Sequence, residues 1–226
     1  MKYVLIIIIV IISSIGIFLY NKDVDLKTDN KKIQETGKTF KIVAFGDSLT
    51  AGYGVKLEES YPAQLEKELK KENMSIEVIN MGVSGETTTG GLERVDFVLS
   101  QKPDLVLIGL GGNDMLRATS PELVKSNLEK IILAFKDKNI SVILLGMEAQ
   151  ISNSFAYKKK FDVIYKDLAK KYDVALVPIF LENVVLVKSL NIDDGIHPNK
   201  QGYEKIVKEN VLPVVNKVLK SEFILN

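Results

Sequence analysis

From Phe40 onward, short aliphatic runs alternate with amphipathic stretches. Five runs read as strands: Lys41–Phe45, Ile76–Asn80, Leu105–Leu110, Ser141–Gly146 and Ala175–Pro178. Most are nearly continuous in Ile, Val and Leu, as strands covered on both faces should be. The helices fall between them. Ser60-Tyr61-Pro62 opens one that runs to about Glu72, with Leu65 and Leu69 on one face. Thr88 to Leu99 carries Leu92, Val95 and Val98. Ser120-Pro121-Glu122 supplies an N-cap, a first-turn proline and an early acid, and starts a helix that reaches Phe135. A fourth helix runs from about Phe155 to Tyr172, and a last one follows Asn199. Pro213 falls late in that last helix and should kink or divide it. Strands alternating with helices imply right-handed crossovers and a parallel sheet. In such sheets, ligands bind beyond the carboxyl ends of the strands.

The chain before Phe40 breaks this pattern. From Tyr3 to Tyr20 there is no charged side chain. As a helix this stretch would span about 27 Å, close to the hydrocarbon thickness of a bilayer. Lys2 and the terminal amine precede it, which favours a cytoplasmic N-terminus and an exported domain. A cleaved signal peptide is the competing reading, but its apolar region is usually shorter and ends in a small-x-small site. Here the one such triplet is Ser14-Ile15-Gly16, and a cut there would leave Ile17-Phe18-Leu19-Tyr20 as an exposed start. Residues 1–20 are therefore expected to form an uncleaved hydrophobic anchor helix in the cytoplasmic membrane, with the domain facing the periplasm or exterior. If the segment is cleaved, the product is periplasmic or secreted. Residues 21–39 read as a linker, because charged side chains recur throughout and only Val24, Leu26 and Ile33 are aliphatic. Such a segment cannot bury enough surface to offset its ordering entropy. Residues 40–226 form the expected folded domain.

Composition narrows the chemistry. The chain of 226 residues has 30 basic and 29 acidic side chains, a balance that argues against an electrostatic nucleic-acid binder. There is no cysteine, which removes disulfides, thiolate metal sites, a thiol nucleophile and a lipidated cysteine. The single histidine is His197, so a His-rich metal site is excluded and any imidazole chemistry falls to one residue.

Four polar clusters lie at strand ends or past the last strand: Gly46-Asp47-Ser48-Leu49, Gly82-Val83-Ser84-Gly85-Glu86, Gly111-Gly112-Asn113-Asp114 and Asp193-Asp194-Gly195-Ile196-His197-Pro198. Neither a phosphate-binding P-loop nor a dinucleotide fingerprint is spelled by these glycines, and the G-x-S-x-G elbow is missing. Nucleophilic catalysis fits better. A serine hydroxyl needs a base to take its proton, and a base histidine needs an acceptor on its other nitrogen. Asp194 lies three residues before His197, joined through a flexible glycine. The amides of Ser48 and Gly85 and the side-chain amide of Asn113 could donate to an oxyanion. Taken singly, each has a bland reading: Ser48 as a helix cap, His197 as a surface residue, Asn113 as a turn residue.

Together, Gly46-Asp47-Ser48-Leu49, Val83-Ser84-Gly85-Glu86, Gly111-Gly112-Asn113-Asp114 and Asp194-Gly195-Ile196-His197-Pro198 resemble the four blocks of the SGNH (GDSL) hydrolases, in order and spacing. The match covers about Lys41 to Val215. It is most similar to the bacterial arylesterase, acyl-CoA thioesterase and lysophospholipase subgroup. The resemblance implies an α/β fold, a flavodoxin-like three-layer α/β/α sandwich on a five-stranded parallel sheet. It implies Ser48 as nucleophile, His197 as base and Asp194 as its orienter, with Ser48, Gly85 and Asn113 as oxyanion donors. No metal or organic cofactor is implied, and the substrates are aryl or acyl esters, acyl-thioesters or lysophospholipids. Glu86 stands where many members have Asp, and Tyr61 where many have Trp. Asp47 and Asp114 read as structural, holding their loops. Tyr53, Met115 and Met147 are candidates for an acyl pocket or for core filling, and Met115 to Ser120 for a lid loop. The rival functions are a deacetylase of cell-surface polysaccharide and a catalytically silent module displayed on the membrane.

Overall fold

The structure is a computed structural model and describes residues 39–72, 75–149 and 154–224. The expected anchor helix, and the linker up to residue 38, lie outside the described residues. Among the described residues no helix is long and apolar enough to cross a membrane.

Strands β1 (Phe40–Gly46), β2 (Ile76–Gly82), β3 (Leu105–Gly109), β4 (Ser141–Leu145) and β5 (Ala175–Val177) form one sheet in the order β2-β1-β3-β4-β5. Every pairing is parallel, with Phe45 between Met81 and Ile108 in the central register. The continuous aliphatic runs have their expected consequence. Ile42 to Phe45 of β1 and Leu105 to Ile108 of β3 are completely buried, because both faces of the sheet are covered. Helices α2 (Tyr61–Lys70), α9 (Lys200–Lys205) and α10 (Leu212–Val218) pack on one side. On the other lie α3 (Thr88–Glu93), α4 (Val95–Leu99), α6 (Pro121–Lys136), α7 (Phe155–Phe161) and α8 (Ile164–Tyr172). This is the three-layer, flavodoxin-like arrangement. The strand order reverses direction between β1 and β3, and such a switch point opens a crevice at the carboxyl ends of those strands.

Three helices depart from the sequence expectation. The stretch Thr88 to Leu99 divides at Arg94, whose backbone leaves helical values at φ −111° and ψ 12°. Phe155 to Tyr172 divides at Asp162 and Val163, where the Asp162 carboxylate accepts a hydrogen bond from the Ala149 amide at 2.8 Å. The last helix widens into a π-helical stretch at Ile206–Val211, directly before Pro213 in the first turn of α10. Proline lacks a donor and its ring crowds the preceding turn, so the wider turns make room for it. By contrast α6 starts where its cap predicted, with Ser120 Oγ accepting from the Leu123 amide.

Candidate active site

Strand β1 ends at Gly46, and the chain turns at once into a four-residue helix, α1 (Ser48–Ala51). Asp47 caps it, its Oδ1 accepting from the Leu49 amide at 3.0 Å. Ser48 is thus the first residue of the helix, where its own amide has no partner within the turn. The turn lies directly on the end of β2. A Cβ at Gly82 would stand 2.1 Å from the Ala51 nitrogen, so only glycine permits the approach. Tyr61, noted in the sequence as a departure, is wholly buried beneath this turn and packs edge-on against Phe180.

The second half of the site comes from the loop before α9. An isolated antiparallel bridge between Asn191 and Pro198 pinches its base. The Gly195 amide donates to the Ile192 carbonyl at 3.0 Å, and Gly195 takes φ +70°. Inside this tight turn Asp194 Oδ1 accepts from the amides of Ile196 and His197, both at 2.9 Å. Its Oδ2 lies 2.6 Å from His197 Nδ1, and His197 Nε2 lies 2.8 Å from Ser48 Oγ. Burial alone would raise the Asp194 pKa, but the two amides and the imidazole outweigh it and hold the carboxyl below its ordinary range. An ionised Asp194 keeps the imidazole proton on Nδ1, which leaves Nε2 as the acceptor facing the serine hydroxyl. The ring of Tyr53 lies over the imidazole with centroids 4.7 Å apart.

The third wall joins the ends of β2 and β3. Gly85 takes φ +82°, a conformation L-residues rarely adopt. Asn113 sits in a short helix, α5 (Gly112–Leu116), where the sequence suggested only a loop. Its Nδ2 donates to the Glu86 carbonyl at 2.9 Å and, more loosely, to Asp47 Oδ2 at 3.3 Å. Among the described residues, the amides of Ser48 and Gly85 donate to no protein acceptor. Asp47 is almost wholly buried, and that burial pushes its carboxyl up to about 6 despite the Leu49 amide and the nearby imidazole. Asp114 holds the loops together, accepting from the amide and hydroxyl of Thr88 at 2.7 and 2.8 Å. The residue after Gly85, Glu86, is held by one that sequence reasoning missed. Arg94 Nε donates to Glu86 Oε1 at 2.6 Å, and its Nη2 reaches Glu86 Oε2, the Met81 carbonyl at 2.7 Å and the Gly46 carbonyl at 3.3 Å. One guanidinium thereby ties the ends of β1 and β2 to the Gly85 loop. The Glu86 departure supplies the carboxylate for this brace.

Ser48, Gly85, Asn113, Asp194 and His197 all meet at one rim of the sheet. Comparison with known proteins gives the family. The GDSL-like lipase/acylhydrolase family matches residues 44–205, a span that includes all five residues. The chain belongs to this family. An arylesterase of Vibrio mimicus is 40% identical over 162 residues, which is 71% of this chain and 81% of that protein. The Escherichia coli (strain K12) protein named thioesterase 1/protease 1/lysophospholipase L1 is 35% identical over 179 residues, 77% of this chain and 85% of that protein. The crystal structure of AlinE4, described as an SGNH-hydrolase family esterase, superposes with a TM-score of 0.68 at 43% identity, covering 82% of this chain and 98% of that one.

In this GDSL-family protein Ser48, Gly85, Asn113 and His197 border a cavity of about 370 Å³, with Asp194 behind the imidazole. Its lining is mostly apolar, including Met115, Met147, Ile179, Leu181, Val185 and Leu186. Tyr53, Met115 and Met147, the three acyl-pocket candidates of the sequence, all border it. Met115 and Leu116 do so from the end of α5 and not from a flexible lid loop. The wall from Ile179 to Leu186 went unnoticed in the sequence. Its signal was the recurrence of apolar residues soon after β5, Ile179, Phe180 and Leu181 and then Val184, Val185, Leu186 and Val187, past the carboxyl end of the last strand. Among the described residues no three His, Asp or Glu side chains stand together as metal ligands.

Proposed function

We propose that this protein is a serine hydrolase that cleaves carboxylic esters or thioesters through an acyl-Ser48 intermediate. The observation that carries the reading is the continuous chain Ser48 Oγ–His197 Nε2 at 2.8 Å and His197 Nδ1–Asp194 Oδ2 at 2.6 Å. In this reading His197 takes the Ser48 proton as Oγ bonds to the substrate carbonyl carbon, and Asp194 stabilises the imidazolium that results. The oxyanion accepts hydrogen bonds from the Ser48 and Gly85 amides and from Asn113 Nδ2, which exchanges its long contact with Asp47 for the new acceptor. The imidazolium returns the proton to the departing alcohol or thiol. Water then enters, gives a proton to His197, and attacks the acyl carbon. Collapse of the second tetrahedral species frees the acid and restores Ser48 as His197 hands the proton back. The apolar cavity suits the acyl part of aryl or acyl esters, acyl-thioesters or lysophospholipids. The apolar residues 3–20 support a domain exported and tethered to the cytoplasmic membrane.

Hydrolysis of p-nitrophenyl octanoate tests the reading. Ser48→Ala should abolish turnover while the far-UV spectrum and unfolding transition stay in place, and a folded Ser48→Ala protein with wild-type turnover would refute it. A deacetylase reading has one observation in its favour: an acetylxylan esterase of Xylanibacter ruminicola is 26% identical over 208 residues, though the match spans 42% of that protein. A wall of Leu181, Val185 and Leu186 favours the longer acyl group. Octanoyl-ester turnover above that of an acetylated sugar is the expected outcome.

A further inference from the structure

The cavity has an unusual mouth. Five exposed large apolar side chains, Tyr53, Leu116, Val185, Leu186 and Ile196, border it together with Ser48 and His197. Val187 follows directly in the chain and is also exposed. Single exposed apolar residues need no explanation, but a cluster around a binding site marks a surface that meets something apolar. Leu186 is the extreme case. The residue is 82% exposed, and its backbone holds φ +64°, a strained conformation for leucine.

The sequence outside the structure indicates what covers this rim. Residues 3–20 carry no charge, and the stretch 21–39 separates them from the folded domain. Fully extended, such a linker spans at most roughly 60–70 Å. The domain has a radius of gyration of roughly 16 Å for its size, so the tether is long enough to let any face turn to the bilayer. Exposed charges near the mouth lean acidic, Arg117 and Lys188 against Glu148, Glu182, Asp193 and Asp194. The rim therefore has no basic field to draw it to an anionic surface, and its affinity for lipid must come from apolar burial.

We propose that the rim formed by Tyr53, Leu116, Val185, Leu186, Val187 and Ile196 docks into the surface of a lipid bilayer, so that the cavity opens onto the acyl-chain region. The inference rests on the tethered reading of the N-terminal segment. It deepens the hydrolase reading by naming the phase from which substrate arrives: an acyl chain passes from lipid into the cavity without crossing water. Zwitterionic lipid suffices.

The chain has no tryptophan, which makes the test direct. Val187→Trp places a single indole on the rim. Phe97→Trp places one at another exposed apolar position, on α4 near the opposite end of the sheet. Each full-length variant is reconstituted into phosphatidylcholine vesicles with and without acyl-chain bromination. The expected result is a blue-shifted emission for Val187→Trp, quenched at least about twofold by brominated lipid, with Phe97→Trp unquenched. Turnover of soluble p-nitrophenyl butyrate is read in the same samples. Turnover with an unquenched Val187→Trp overturns docking and leaves the hydrolase reading standing. Quenching without turnover does the reverse. A blue shift confined to high protein-to-lipid ratios and indifferent to bromination would mean that a second copy covers the rim, and would also overturn the proposal. Failure of the full-length chain to remain with the vesicles removes the tether and the proposal with it.

Discussion

Replacing Arg94 with methionine should damage both stability and catalysis, by a route the structure makes calculable. The guanidinium is the hydrogen-bonding partner of both Glu86 carboxylate oxygens, and the Glu86 side chain is only 7% exposed. Methionine fills much of the same volume but leaves that carboxylate buried without a counter-charge. Breaking one side of a buried pair costs about 3–5 kcal/mol, a large share of the roughly 5–15 kcal/mol that holds a domain together. Adding Glu86→Gln to Arg94→Met removes the orphaned charge and should restore about half of the loss or more, giving a strong coupling in the double-mutant cycle. Arg94→Lys should fall between, because an ammonium cannot span a bidentate carboxylate and two carbonyls at once. Catalysis should suffer in kcat, since the Glu86 carbonyl accepts from Asn113 Nδ2 and Glu86 follows Gly85. Urea unfolding of the four proteins supplies the free energies, and ester turnover supplies the rates. An Arg94→Met loss below about 1 kcal/mol, the range of an exposed ion pair, would refute the brace.

Asn113→Ala should lower kcat by about 10²–10³ with little change in KM if its amide serves the oxyanion, which steady-state kinetics on a p-nitrophenyl ester will show. At Gly85 a Cβ has open space, with Arg117 Nη2 nearest at 3.8 Å, so Gly85→Ala should cost only the backbone strain of φ +82°, about 1–2 kcal/mol by thermal unfolding, while shifting the amide enough to lower kcat. Asp47 binds its proton more tightly in the folded chain, near 6, than at its ordinary value of 3.8. Its contribution therefore favours the fold at low pH and fades as pH rises through that window, by about 3 kcal/mol in total. Unfolding free energies between pH 4 and 6 should carry this downward slope in the wild type and lose it in Asp47→Asn, and an identical slope in both would contradict the assignment.

The sheet was legible because its strands are covered on both faces and so appear as unbroken aliphatic runs; β1 and β3 lie where those runs placed them, to within a residue or two. Functional positions were legible because ligand-binding loops of a parallel sheet lie at the carboxyl ends of its strands: Ser48, Gly85 and Asn113 each follow a strand, and His197 lies in the chain past the last one. Short helices were not. The four residues of α1 and five of α5 owe their form to Asp47 capping and to Gly111 at φ +117°, features of loop geometry too brief for any periodicity to announce. Breaks at Arg94 and Asp162 were hidden for a related reason. Each side chain is drawn to a partner far along the sequence, the strand-end carbonyls in one case and Ala149 in the other, and helical spacing carries no trace of that. Arg94 itself looks like any helix-surface arginine until Glu86 and the ends of β1 and β2 are seen around it.

Hydrolysis by this chain depends on the serine alcohol being activated by the one imidazole. Mass mapping of the native protein after reaction with a fluorophosphonate measures that directly. One adduct on the peptide carrying Ser48 is predicted, with labelling lost in His197→Ala protein that remains folded. A folded wild-type protein that takes no adduct, or one labelled equally well without the imidazole, would contradict it.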